Sequence, residues 1–128
     1  MGDRRKNQIV VQSASSHKHL VEQAENAIIE RSHCYGRNEI SENDRANIVR
    51  IIEEINPKPG AESILAVQVA VAQMIGLYEL ADTCPDNKRL GLLLIRHACD
   101  ALQFIDRGRQ RLMQAMAIEV QPSAPNAN

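Results

Sequence analysis

Four stretches of this chain repeat apolar residues at steps of three and four, the spacing that gathers side chains on one face of a helix. The first covers residues 17–34, with Leu20, Val21, Ala24, Ala27, Ile28 and Ile29 as its stripe. Ser13, Ser15 and Ser16 stand ahead of it as N-caps, and Gly36 stands where a C-terminal cap belongs. The second has the sharpest ends. Ser41-Glu42-Asn43-Asp44 reads as an N-cap followed by acids suited to the positive end of the helix dipole, with Ile40 placed to staple that end. Ile48, Val49, Ile51, Ile52 and Ile55 form its buried stripe, and Asn56-Pro57-Lys58-Pro59-Gly60 stops it, because neither proline extends a helix.

The third helix is expected over residues 61–83, with Glu62 near its dipole-positive end. From Ser63 to Tyr78 it carries no charge, and Ile64, Leu65, Val67, Val69, Val71, Met74, Ile75 and Leu77 cover more than one face. A helix apolar nearly all round is buried on several sides. Thr83-Cys84-Pro85-Asp86-Asn87 is a turn, with Asp86 or Asn87 capping a long fourth helix over residues 88–117. Gly108 lies inside that helix and marks a bend. Short connections make neighbours antiparallel, so the expected fold is all-α, a four-helix bundle-like arrangement. A flexible N-terminal arm (residues 1–15) and a disordered C-terminal tail (119–128) flank a helical domain (16–118).

Composition narrows the function classes. Apolar residues make up 44% and charged residues 24%, an ordinary globular balance, and the net charge of -1 points to no globally basic nucleic-acid binder. One Phe, two Tyr and no Trp leave a core of aliphatic side chains, which suits helix-on-helix packing and disfavours an aromatic-lined ligand pocket. Three cysteines at no regular spacing imply reduced thiols, and Cys99 reads as a small hydrophobe between helices. The N-terminal apolar run is too short for a secretory signal, and the central uncharged stretch is shorter than the roughly 20 residues of a membrane span. A cytoplasmic protein without membrane contact is the resulting expectation.

Chemistry-bearing residues are few and badly spaced for joint work. His17 and His19 diverge on a helix, as do His33 and Cys34, and His97 and Cys99 point apart, so no metal site, cofactor or Cys–His catalytic pair is expected. His97 falls inside an apolar stripe and reads as a core or interface histidine. Gln68 and Gln73 interrupt the apolar helix, and buried amides need partners, so they are expected to register it against the other helices of the chain or, as the better choice for a helix too apolar for one small bundle to surround, a second subunit. Gln68, Val71, Gln73, Met74 and His97 are therefore the candidate interface of a homodimer. Arg107, Arg109 and Arg111 form a basic run that offers an anion contact and, through it, a nucleic-acid-binding alternative.

The stretch Leu65-Ala66-Val67-Gln68-Val69-Ala70-Val71-Ala72-Gln73, preceded by Asn56-Pro57 and Glu62-Ser63, resembles a segment of uncharacterised small α-helical proteins of proteobacteria and their mobile elements. Those often carry Leu-Ala-x-Gln-Met-x-x-x-His there, and Gln73 stands here in place of the His. The resemblance brings no activity and implies an accessory protein of bacterial or phage origin. The expected function is accordingly non-enzymatic, acting by contact with itself and with another, unidentified protein.

Overall fold

The computed structural model describes residues 17–32 and 39–120, which form four helices and no strand. These are α1 (Lys18–Ser32), α2 (Glu42–Ile55), α3 (Ala61–Leu80) and α4 (Pro85–Val120). The expected arm, the Gly36 cap, His33, Cys34 and residues 121–128 of the tail lie outside the described residues.

Local chemistry sets the ends of α2 and α3. The Ser41 hydroxyl accepts from the Asp44 backbone N–H at 3.1 Å, satisfying one of the donors that a helix start leaves unpaired. At the other end Asn56 turns into the left-handed region at φ 46°, its N–H closing on Ile52 O. Asparagine tolerates that conformation better than most residues. Pro57, buried, then forces the chain away from the helix. Gly60, at φ 105°, enters α3, whose first turn is held by Glu62 accepting from Lys58 N–H and by the Ser63 hydroxyl donating to Lys58 O.

The start of α4 differs from expectation. Asp82 rather than Asp86 or Asn87 organises the turn, accepting from Cys84 N–H on one oxygen and from the Asn87 amide on the other. Those bonds hold the Asp82 carboxyl below its ordinary range, the Cys84 N–H contributing most. With the turn closed this way the helix begins at Pro85, where a missing N–H costs no intrahelical bond. It also runs on to Val120, past the expected end, with Gly108 inside it.

α3 is the hub. α1 and α2 pack on it and on each other, whereas α4 packs on α3 and keeps its backbone away from both. Ile28, Ile48, Ile52, Val69 and Met74 are fully enclosed among these helices. α1 and α2 are also joined by Arg45, which donates to Glu25, and α2 and α3 by the Tyr78 hydroxyl, which donates to Asp44.

The expectation that α3 is buried on several sides holds only in part: Val69 and Met74 are enclosed, Leu65, Val67, Val71 and Ile75 are half-buried, and Ile64 and Leu77 remain exposed. At 20 residues, α3 is by length and composition the one described helix able to cross a membrane, contrary to the shorter span read from its uncharged stretch. Here its apolar surface serves as the packing centre for three other helices.

α3 and α4 form an antiparallel pair with a seam that repeats in alternating steps of three and four. On α3 it runs Glu62, Leu65, Val69, Ala72, Gly76 and Glu79; on α4 it runs Gly91, Ile95, Ala98, Leu102, Ile105 and Arg109. This is the a/d pattern of coiled-coil packing. Near the connecting turn the seam narrows until Gly76 and Gly91 face each other backbone to backbone.

Candidate interaction surface

The α4 seam outlasts its partner. Arg109 sits level with Glu62, at the first turn of α3, and beyond it the same steps reach Leu112, Met116 and Glu119. Residues 110–120 extend about 16 Å past Arg109 at about 1.5 Å per residue. Leu112 is 49%, Met113 69% and Met116 55% exposed, although each continues the face that packs on α3 one or two turns earlier. The helical period thus carries a packing stripe off the end of the body. Large apolar side chains in such a patch mark interaction surfaces rather than ordinary surface scatter.

Arg109 closes the body at the point where the overhang begins. Its Nε and Nη2 both donate to Glu62 Oε1, at 3.2 and 2.7 Å. Nη2 also donates to Ile55 O at 2.7 Å and to Asn56 O at 3.2 Å. These carbonyls end α2, where helix acceptors lack intrahelical donors, so one guanidinium caps α2 and pins α4 to α3. The Glu62 carboxyl is held below its usual value near 4.5, chiefly by the hydrogen bonds from Arg109, and the Arg109 guanidinium is correspondingly raised.

Replacing Arg109 by alanine therefore lowers stability by about 1–2 kcal/mol at neutral pH, the value of a few charge-assisted bonds that are partly open to water. Lysine recovers little of it, because a point charge cannot serve a carboxylate and two carbonyls at once. The bond to Glu62 is fully present above the ordinary glutamate pKa and is lost as pH falls through the lowered folded value. Urea titrations between pH 7 and pH 3 check this: the gap between the parent chain and Arg109→Ala narrows as Glu62 is protonated.

This geometry corrects the reading of the basic run. Arg109 is engaged within the chain, so the expected three-arginine anion contact reduces to Arg107 and Arg111, exposed one turn apart on the side of α4 away from the seam. The candidate interface residues scatter as well. Met74 is 2% exposed and belongs to the core, so it presents no surface to a second subunit. Gln68 is exposed beside Ile64 and the half-buried Val71, so its amide is open to solvent rather than buried. Gln73 lies on another face, in an open groove of about 310 Å³ between α2 and α4 that Glu54, Leu102 and Asp106 also line.

His97 and Cys99 are both exposed, which removes the readings of a core histidine and a packed thiol. The stripe beside them is carried by Ala98 and Ala101, and His97 falls about 100° of helical turn away from Ala98. No group of three or more His, Cys, Asp or Glu among the described residues is placed to hold a metal ion. The outer face of α4 carries further exposed apolar residues, Leu93 and Phe104, on either side of His97.

Sequence reasoning missed the overhang and the clamp. The step pattern shows that Leu112 and Met116 continue the stripe of Arg109, but not where the neighbouring helix stops. No known protein-family model, no curated protein and no solved structure matches this chain.

Proposed function

We propose that this chain works by binding rather than by catalysis, as a homodimer that acts through protein–protein contact in the manner of an accessory factor. The observation that carries this reading is the exposure of Leu112, Met113 and Met116 on the continuation of a packing stripe. Burying apolar area of this kind yields roughly 25 cal/mol per Å², and a second helix is the surface that matches an i, i+3, i+4 stripe. Leu93 and Phe104, on a different face of α4, leave room for a further protein partner once the seam is covered. The resemblance of the Leu65–Gln73 stretch supports an accessory role without naming the process.

Light scattering on the purified protein tests the dimer. The expected mass is twice the 14.3 kDa of one chain at micromolar concentration. A species of one chain's mass across that range overturns the reading.

A further inference from the structure

We infer that the partner on the α4 overhang is a second copy of this chain, docked antiparallel so that Glu119 of each copy meets Arg109 of the other. This deepens the homodimer reading and rests on it.

Arg109, Leu112, Met116 and Glu119 follow one another by three, four and three residues, so all four line one edge of the helix. The order along that edge is basic, apolar, apolar, acidic. Laid against itself in parallel, it puts like charges opposite each other at both ends. Turned antiparallel about a two-fold axis near Gln114, it puts Arg109 against Glu119 twice and Leu112 against Met116 twice. Like charges across a seam destabilise and opposite charges set orientation and register, so the charge pattern selects the antiparallel pair.

Three further features agree with that register. Met113 and Ala115 flank the seam on opposite sides close to the axis, which leaves bulk on one side and room for close approach on the other. Arg109 is only partly enclosed, and its Nη1 donates to no group among the described residues, so the guanidinium can take a second carboxylate without releasing Glu62. The overlap, residues 109–119 in each copy, runs about 15 Å and ends at the level of Glu62, where the body of the partner begins. A two-helix contact of this length sits at the small end of specific interfaces, so micromolar dissociation is expected.

Sedimentation equilibrium of three full-length proteins tests the pairing. The parent chain is expected to dimerise, Glu119→Lys to dissociate at least about tenfold more readily, and Met116→Glu to stay monomeric in the same range. Circular dichroism melting at a dilution where the parent is monomeric separates these effects from misfolding, because neither side chain is enclosed by its own chain and both variants are expected to melt with the parent there. Orientation is read by mixing Leu112→Cys with Met116→Cys, oxidising, and mapping cross-linked peptides. The antiparallel register gives more cross-links between the two variants than within either.

A parent chain that is monomeric overturns the homodimer and this pairing together. A parent dimer unmoved by Glu119→Lys and Met116→Glu leaves the homodimer standing and overturns the pairing. Cross-links found mainly within each cysteine variant overturn the antiparallel orientation.

Discussion

Replacing Gly91 by alanine lowers the stability of the fold by about 2–3 kcal/mol, while the same replacement at Gly108 raises it by about 0.5–1 kcal/mol. Both glycines lie inside α4, so helix propensity alone favours alanine at either site by roughly 1 kcal/mol. Surroundings reverse the sign at the first. A Cβ built on Gly91 would lie 2.7 Å from Gly76 O and 3.0 Å from Leu80 N, and both are backbone atoms of α3. Neither can swing aside as a side-chain tip could. Relief has to come from parting the two helices, which loosens Ile95 and the packing of the adjoining seam.

At Gly108 nothing lies within 4 Å of the added methyl group. The chain gains there what alanine gives any exposed helix: fewer unfolded conformations to lose and a firmer interior. Denaturation midpoints in urea, read with the slope held constant, check both signs in one series. Gly76→Ala behaves like Gly91→Ala but more mildly, because its shortest contact is with the Ile95 side chain rather than with backbone. A destabilised Gly108→Ala would overturn the reading of Gly108 as an unconstrained position in the helix.

The pattern of steps carried the helices well because their ends rest on local chemistry. Ser41 caps through its own third neighbour, and Asn56-Pro57 stops α2 whatever packs nearby. α3 shows where such reading runs out. Periodicity locates a core face by contrast with a polar one, and from Ser63 to Tyr78 there is no charged face to supply the contrast. The residues that meet α4, those that meet α1 and α2, and those left to water, such as Ile64, are chemically alike. The interface drawn from that helix accordingly mixed a core residue, Met74, with a surface one, Gln68.

Arg109 was illegible for a different reason. A helix turns about 100° per residue, so the spacing already sets Arg109 apart from Arg107 and Arg111, but it says nothing of what Arg109 meets. The partner of Arg109 is Glu62, 47 residues earlier, joined to it only by the antiparallel pairing of α3 and α4. Its other partners are backbone carbonyls, which no residue pattern displays. The same holds for the overhang: an apolar stripe tells that a helix packs, and only the length of the neighbouring helix tells where the packing ends.

Ile52→Ala and Met116→Ala remove side chains of comparable size from two stripes and are expected to act on different equilibria. Ile52 is fully buried among the helices around α3, so its truncation forfeits transfer free energy and leaves a cavity, a cost of about 2–5 kcal/mol. Against the roughly 5–15 kcal/mol that holds a domain together, this is a large share of the whole. The expected result is a urea midpoint shifted far down, with association impaired only because less folded protein is present. Met116 touches little of its own chain, and its truncation is expected to leave the stability of dilute protein within about 0.5 kcal/mol of the parent. Its effect belongs to the concentration dependence instead: the parent melts higher as protein concentration rises, and Met116→Ala flattens that rise. Equal losses of dilute stability in the two variants would mean that the overhang folds back onto its own body, and the stripe would then be core rather than contact.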